Sequence, residues 1–323
     1  MSKIYLAPMD GLADSLLRDL LTRVGGYDGA VSEFLRVSGT PLPLRAFRRV
    51  CPELDNRSRT RSGTPVAVQL LGSHPERMAE TAARLATLAP VGIDLNFGCP
   101  APTVNRHGGG AMLLEDPELM QRIAEAVRRS VPRAIPVTAK MRLGVRDTAK
   151  TLECARALES AGVVSLVVHA RTKADAYRPP AYWEWIARVR ETVAVPVIAN
   201  GEIWSVADYN RCREITGCAD VMIGRGAVAD PLLASRIRGA QRGVFREAET
   251  NADWQTVVPL VCEFWVRVQQ RVTARHAPGR LKLWLNSLRR AYPQAEVLYQ
   301  RLRTVNDVRD TDTLLKAHVA MLV

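Results

Sequence analysis

The sequence lacks several features that would assign it to a whole class of proteins. Its apolar runs have only the length of a strand, and none approaches the ~20 residues of a membrane-spanning helix. No Gly-x-Gly-x-x-Gly motif is present, which argues against a dinucleotide held in a domain of its own. No signal peptide is visible, because Ile4–Pro8 already has the pattern of a buried strand, so we expect a cytoplasmic protein.

Cysteine is sparse and scattered. The six cysteines form no Cys-x-x-Cys pair, so we expect neither a metal site nor a disulfide framework. They are Cys51, Cys99, Cys154, Cys212, Cys218 and Cys262. Free cysteine is commonly a small core residue, and we interpret five of the six in this way. Cys99 differs because of its position, described below.

Acidic residues are outnumbered by basic ones. The chain has 33 Asp and Glu against 45 Lys and Arg, a net charge of +12. The excess is largest in a C-terminal segment in which Glu296 is the only acid and nine residues are basic, namely Arg267, Arg271, Arg275, Arg280, Lys282, Arg289, Arg290, Arg301 and Arg303. The first three are spaced four apart and would form one stripe on a helix. A solvated helix face accounts for any single arginine, but the cluster favours contact with a nucleic acid.

Eight short apolar segments predict strands, and most are followed by a stretch with helical periodicity. The strands are predicted at Ile4–Pro8, Ala30–Phe34, Pro65–Leu71, Gly92–Phe97, Ile135–Met141, Ser165–Ala170, Pro196–Asn200 and Asp220–Ile223. Eight alternating units indicate an α/β fold, a (β/α)₈ TIM barrel over residues 1–239. The connection Val37–Gly63 shows no clean helix and is interpreted as a recognition segment or a long loop.

Only helices are predicted after the barrel, in a small all-helical C-terminal domain of residues 240–323. They are predicted at Trp254–Val272, Leu281–Ala291, Ala295–Val305 and Asp310–Leu322, with Pro278-Gly279 and Pro293 as the breaks between them. This domain carries the basic cluster.

Polar, charged or glycine residues follow nearly every predicted strand. In a TIM barrel these strand ends meet at one face, so we expect a ligand there. The residues include Pro8, Met9, Asp10, Glu33, Gln69, Asn96, Lys140, Arg142, His169, Asn200, Gly201, Glu202, Gly224 and Arg225. The glycines after the last two strands let backbone N–H groups approach an anion, in the loops that barrels use most often for phosphate; tight turns alone are the alternative. Lys140 and His169 would add positive charge and donors, which suits a cofactor that becomes anionic when reduced.

Cys99 lies in Asp94-Leu-Asn-Phe-Gly-Cys-Pro100, directly after a strand end. A thiol near its ordinary pKa of ~8.5 is mostly protonated at neutral pH and can act as an acid. The loop that follows closes with Gly108-Gly109-Gly110, which predicts either a mobile lid over the site or a simple bend. We therefore expect Cys99 to be a general acid at the barrel mouth.

Several motifs in register resemble the tRNA-dihydrouridine synthase family. They are Ala7-Pro-Met9, Asp94-Leu-Asn-Phe-Gly-Cys-Pro100, Lys140-Met-Arg142, His169-Ala-Arg-Thr172 and Asn200-Gly-Glu202. Three further segments are most similar to the bacterial C-type subfamily, which acts on uridine 16 of the D-loop: Ser32-Glu-Phe-Leu-Arg36, Cys51-Pro-Glu-Leu54 and Gly279-Arg-Leu-Lys-Leu-Trp-Leu285. One position departs from the family, because Pro102 stands where relatives often carry a lysine.

The resemblance implies a role for each of these positions. FMN would be contacted by Pro8, Met9, Asp10, Gln69, Lys140, His169, Asn200, Gly201, Glu202, Gly224 and Arg225. Asn96, Arg142 and Tyr177 would lie near the substrate base, while Arg36, Arg280 and Lys282 would help to hold the tRNA. NADPH would reduce the flavin, and hydride would pass from flavin N5 to uracil C6 of a flipped-out uridine while Cys99 protonates C5.

Other functions remain open on the sequence alone. The same reaction at another D-loop uridine is one, and an FMN barrel of the dihydroorotate dehydrogenase type is another, although its small substrate needs no basic tail. A catalytically inert RNA-binding barrel and a phosphate-binding aldolase or isomerase barrel are further alternatives. Binding of FMN would separate the first two from the inert barrel.

Overall fold

Eight parallel strands form a closed barrel in a computed structural model that describes residues 2–244 and 250–321. Each strand pairs with the next in sequence, and the last pairs with the first. The strands are β1 Ile4–Leu6, β2 Gly29–Arg36, β3 Val66–Leu71, β4 Ile93–Phe97, β5 Val137–Arg142, β6 Leu166–His169, β7 Val197–Asn200 and β8 Asp220–Ile223. The predicted TIM barrel is confirmed, and every strand lies within two residues of its predicted bounds.

Helices cover the outside of the barrel and form the C-terminal region. Those that follow the strands are α1 Ser15–Val24, α2 Leu44–Val50, α3 Pro75–Ala86, α4 Pro102–Asn105, α5 Pro117–Ser130, α6 Thr151–Ser160, α7 Trp183–Thr192, α8 Val206–Thr216, α9 Arg225–Ala229 and α10 Leu233–Gln241. The C-terminal helices are α11 Thr250–Arg271, α12 Ala277–Leu288, α13 Pro293–Leu302 and α14 Val308–Ala320. In the described ranges, no helix combines the length and the apolar character needed to cross a bilayer.

Helix α5 shows how local sequence sets these elements. The side chain of Asp116 accepts a hydrogen bond from the backbone N–H of Leu119 at 2.9 Å, and Pro117 occupies the first helical position. Both features favour a helix start, because the cap satisfies a free donor and proline needs none there. Met120 and Ile123 then lie buried against the barrel.

The C-terminal helices pack tightly on the barrel. The Trp284 indole donates to the carbonyl of Val228 in α9 at 3.2 Å, and its ring meets Phe264 edge-on at 4.9 Å between centroids. An ion pair of 2.6 Å joins Arg267 to Asp19 of α1. The region is thus fixed to the helices that precede β2 and follow β8.

Three expectations about helices are corrected. Pro278 and Gly279 do not separate helices but lie in the first turn of α12, where proline costs no hydrogen bond. Arg275 lies beyond the end of α11 at Arg271, so the three-arginine stripe is not one helix face. The connection Val37–Gly63 contains α2 and the 3₁₀ helix Pro52–Asn56, which are too short for a periodic signal.

Residues 245–249 and the predicted helix end at Leu322 lie outside the described residues.

Candidate functional site

A cavity of about 670 Å³ opens at the carboxyl ends of the strands. Its size is typical of cofactor and ligand sites, which span ~300–1,000 Å³. The sequence-predicted residues that line it are Pro8, Met9, Asp10, Gln69, Asn96, Cys99, Lys140, Arg142, His169, Tyr177, Asn200, Gly201, Glu202, Gly224 and Arg225. Arg36, Arg280 and Lys282 are not among the lining residues. The barrel therefore brings the predicted chemical groups into one space, although they come from all parts of its sequence.

The Cys99 loop is held by hydrogen bonds on both sides. The Asn96 side-chain oxygen accepts the backbone N–H groups of Gly98 and Cys99 at 3.0 and 2.9 Å. The Asn105 amide donates to the Cys99 carbonyl at 3.0 Å. Gly110 has a φ of 62°, and a Cβ there would lie 2.7 Å from that carbonyl. Glycine is thus required at position 110 by close packing, and the loop fixes the thiol at the cavity wall.

The Cys99 thiol is half-buried. Burial raises its pKa above the usual value, and the negative charge of Asp10 adds to this effect, while a backbone hydrogen bond and the nearby cations Arg142 and Lys140 oppose it. A raised pKa keeps the sulfur protonated at neutral pH. The group is therefore suited to donate a proton rather than to attack as a thiolate.

A chain of hydrogen bonds connects the Cys99 loop to the barrel interior. Gln69 donates to the carboxylate of Asp94 at 2.7 Å and accepts from the Asn96 amide at 2.7 Å. Thr138 donates to the other oxygen of Asp94. These bonds fix the orientation of both side-chain amides. Each NH₂ group uses one of its two hydrogens in them, and one hydrogen on each group remains.

Lys140 and His169 lie on the adjacent strands β5 and β6. Burial and the nearby Arg142 lower the pKa of Lys140 to about 8, so its ammonium is charged at neutral pH. Burial also lowers the pKa of His169 well below its usual range, with Lys140 as the next cause. His169 is therefore neutral at pH 7 and supplies a hydrogen-bonding imidazole, while Lys140 supplies the positive charge.

Two polar groups in this wall lack a partner within the described chain. His169 Nδ1 is buried without a hydrogen bond, and the Lys140 ammonium forms no ion pair or hydrogen bond there. Buried polar groups are normally satisfied, and both residues line the cavity, so a bound molecule with complementary atoms would supply the missing partners. An aromatic cofactor with polar ring edges and an acidic group fits these requirements.

Glu202 occupies a left-handed backbone conformation with φ of 57° and is held by its neighbours. Its carboxylate pairs with Arg171, which is fully buried, and accepts from the Trp204 indole at 2.9 Å. Although burial pushes the pKa of Glu202 upward, the hydrogen bonds from Arg171 and Trp204 outweigh it and lower the pKa overall. The Arg225 guanidinium lies 3.4 Å from the same carboxylate. Glu202 thus anchors Arg225 at the cavity rim.

Arg171 and Trp204 hold Glu202 at the cavity, a role that the sequence alone did not indicate. Arg171 was visible within His169-Ala-Arg-Thr172, but nothing in the sequence indicated that its partner is Glu202, 31 residues away. Trp204 lines the cavity and also supports the guanidinium of Arg290 at 3.7 Å from its ring centroid. It therefore links the C-terminal region to the cavity rim.

Tyr177 lies at the mouth of the cavity with 49% of its surface exposed. The Arg142 and Arg225 guanidinium groups lie 5.2 and 4.7 Å from its ring centroid, and His169 meets it edge-on at 6.2 Å. Cations over an aromatic face hold the ring in place. About half of Tyr177 remains accessible to a molecule that enters the cavity.

Arg280 and Lys282 lie outside the cavity and contact other parts of the chain. Arg280 forms an ion pair of 2.7 Å with Asp14 and donates to the carbonyl of Gly11, in the loop that follows β1. Lys282 donates to the carbonyl of Val305 at 2.9 Å, after the end of α13. Arg280 therefore supports the loop beside the cavity, whereas Lys282 joins two C-terminal helices.

Comparisons with known proteins identify the family of the chain. The family model described as dihydrouridine synthase (Dus) matches residues 5–321. The chain is 54% identical to the tRNA-dihydrouridine(16) synthase of Cupriavidus necator over 98% of this chain and 97% of that protein. It is 55% identical to the protein of the same name from Ralstonia nicotianae over 95% of this chain and 93% of that protein.

Solved structures show the same fold at low identity. A structure of morphinone reductase in complex with tetrahydroNAD is 14% identical, with a TM-score of 0.50, over 76% of this chain and 91% of that one. Such a likeness supports the barrel architecture alone, whereas the family match extends over nearly the whole sequence. The chain therefore belongs to the dihydrouridine synthase family, a family of flavin-dependent oxidoreductases.

Proposed function

We propose that the protein is a tRNA-dihydrouridine(16) synthase that uses FMN as its bound cofactor and NADPH as its reductant, and that it acts in the cytoplasm. The main support is the position of Cys99, whose protonated thiol shares one cavity with the unpaired Lys140 and His169. The names of the relatives from Cupriavidus necator and Ralstonia nicotianae support uridine 16 as the target.

The residues that line the cavity would hold FMN. Gln69, Lys140 and His169 would contact the ring edge, with Lys140 balancing the negative charge that the ring gains on reduction. Pro8, Met9, Asp10, Asn200, Gly201, Glu202, Gly224 and Arg225 would complete the site, with backbone N–H groups and Arg225 at the phosphate. A bound flavin supplies the hydride that adds to C6 of the uracil ring.

The chain itself supplies the proton and the alignment. Cys99 donates its thiol proton to C5 as the C5=C6 bond is reduced, and the thiolate left behind regains a proton from solvent. Asn96 and Arg142 would hold the base edge, and Tyr177 would stack against it. The target nucleotide must leave the folded tRNA to reach these groups, since chemistry on a stacked base needs extrusion.

The tRNA would also contact residues outside the cavity. We propose that residues 1–239 form the catalytic domain and that residues 240–323 form a tRNA-binding domain. Arg36 at the end of β2, together with Arg280 and Lys282, would help to set the orientation of the tRNA. No metal ion and no protein partner are required by this scheme.

The cofactor proposal predicts that the purified protein is yellow and carries about one FMN per chain. Release by heat denaturation followed by chromatography identifies the flavin and gives its ratio to protein. Protein that is colourless and takes up no added FMN would contradict the proposed function and favour an inert RNA-binding barrel.

The substrate is tested by mapping dihydrouridine in tRNA from a strain that lacks the gene. Position 16 is expected to be uridine in that strain and dihydrouridine after complementation with the wild-type gene. Restoration at another D-loop position instead would assign the protein a different target.

Arg280→Gln is expected to lower the free energy of unfolding by about 1–2 kcal/mol, because it removes a partly buried ion pair to Asp14 and a charged hydrogen bond to the β1 loop. Since this loop borders the cavity, flavin affinity is expected to fall as well. Chemical denaturation and flavin titration measure the two effects. Arg275→Gln is the matched control, because the Arg275 side chain is exposed and forms no hydrogen bond or ion pair in the described chain.

A further inference from the structure

A row of exposed arginines lies on the outside of the barrel between β2 and β3. We name it the flank surface, consisting of Arg45, Arg48, Arg49, Arg57, Arg59 and Arg61. All six side chains are exposed, and the whole segment contains only two acids. The proposed function gives this surface no role.

Helix α2 directs three of these arginines to solvent. Arg45, Arg48 and Arg49 are spaced by three and four residues and therefore share one helix face. Phe47, on the opposite face, is completely buried against the barrel. The amphipathic pattern fixes α2 with its basic side outward.

The two acids of the segment neutralise little of this charge. Glu53 is buried and forms an ion pair of 2.8 Å with the buried Arg18 of α1, so its charge is neutralised by a residue outside the flank surface. Asp55 is exposed and pairs with Arg48 at 2.8 Å. Arg45 and Arg57 form no ion pair or hydrogen bond within the described chain, so their charges remain available.

The backbone that presents Arg57 is held in an uncommon conformation. Arg57 and Ser58 have φ angles of 53° and 58°, in the left-handed region that non-glycine residues rarely adopt. Ser58 is completely buried and exchanges hydrogen bonds with Val66, its side chain donating at 2.9 Å and its carbonyl accepting at 2.8 Å. Such strain persists only where surrounding contacts enforce it, and it is found most often at functional sites.

The basic cluster of the C-terminal region differs from the flank surface. Arg267 pairs with Asp19 and Glu263, and Arg289 pairs with Glu296. Together with Arg280, which pairs with Asp14, three of the nine basic residues in that cluster form ion pairs. Of the six flank arginines, only Arg48 forms an ion pair with another described residue.

The flank surface is continuous with the catalytic face. Arg36 ends β2 at that face, α2 begins eight residues later, and Arg59 pairs with Pro65 immediately before β3 starts at the opposite end of the barrel. The six arginines therefore lie on one connection that leads from the catalytic face to the start of β3 at the opposite end of the barrel. RNA phosphates along one duplex arm would match such a row.

We propose that the flank surface binds the phosphate backbone of the tRNA arm that extends away from the target nucleotide. The proposal rests on tRNA as the substrate. The surface supplies exposed guanidinium groups, which bind phosphate well, and contacts to phosphate carry no sequence information, so the contact is independent of base sequence.

The test compares two triple variants at several salt concentrations. Arg45→Gln/Arg49→Gln/Arg57→Gln removes three flank charges. Arg129→Gln/Arg133→Gln/Arg156→Gln removes three exposed charges that also lack partners within the described chain and that lie near β5 and β6, across the barrel. Binding of unmodified tRNA is measured by titration, and flavin content and NADPH oxidation without tRNA are measured in parallel.

The flank variant is expected to show a log–log salt slope shallower by about 2.7, from three contacts at ~0.9 each, and roughly hundredfold weaker binding at about 0.15 M salt. KM for tRNA should rise while kcat at saturating tRNA, flavin content and NADPH oxidation stay unchanged. The control variant should retain the wild-type slope.

The outcomes separate this inference from the proposed function. An unchanged slope in the flank variant overturns the inference while wild-type protein still binds and modifies tRNA. Equal losses in both variants also overturn it, because they would mean that net charge alone matters. Wild-type protein that modifies no tRNA would instead contradict the proposed function.

Discussion

Cys99→Ala is expected to slow the reduction of tRNA by roughly 10²–10⁴-fold, the usual contribution of a positioned general acid. Hydride addition at C6 leaves negative charge on the uracil ring. Without the thiol, the ring must take its proton from solvent, and this protonation is slower. The raised pKa of Cys99 means that the wild-type group carries its proton throughout the neutral range. The rate of the wild-type enzyme should therefore fall only when the pH comes close to the raised pKa of the Cys99 thiol.

The substitution should leave the architecture of the site intact. Asn96 and Asn105 hold the backbone of residue 99, and these hydrogen bonds do not involve its side chain. Flavin content, tRNA affinity and NADPH oxidation without tRNA are thus expected to match the wild type. Single-turnover reduction of tRNA by pre-reduced enzyme isolates the affected step, and Cys262→Ala, at a half-buried position in α11, is the control. Reduction of tRNA at the wild-type rate by Cys99→Ala would assign the proton to another group.

The barrel was predictable because its signal is local. Each strand is a short apolar run closed by a polar or glycine residue, and the alternation with helices fixes which ends meet. Lys140 and His169 could therefore be placed at one face without any contact information, and both line the cavity. Helix α2 was missed because a seven-residue helix with only Phe47 buried has too short an apolar pattern to recognise.

Charge partners were not predictable, because they depend on contacts between distant segments. Arg171 pairs with Glu202 and Arg280 pairs with Asp14, although the sequence separates these partners by 31 and 266 residues. The protonation state of His169 depends in the same way on the cations that surround it. A basic cluster in the sequence is thus a poor guide to free charge, since the partners that neutralise it can lie anywhere along the chain.

Lys140→Met is expected to have opposite effects on catalysis and on stability. Removal of a charge that faces the reduced cofactor should slow flavin reduction by NADPH by roughly 10²–10³-fold, as for other single electrostatic contacts in active sites. The same change should raise the free energy of unfolding of the flavin-free protein at pH 7 by about 1–3 kcal/mol, because a shift of the Lys140 pKa from 10.5 to about 8 reflects the cost of burying its charge.

The pH dependence distinguishes this explanation from a simple gain in packing. A lowered pKa in the folded state means that the unfolded chain binds more protons between pH 8 and 10.5, so wild-type stability should rise with pH in that window. The advantage of Lys140→Met should be complete below pH 8 and disappear towards pH 10.5. Denaturation of flavin-free protein across this range, with Lys3→Met as an exposed control, measures the difference. If Lys140→Met were more stable by the same amount at every pH, the gain would come from better packing of methionine. Lys140 would then carry no buried charge that the cofactor could balance.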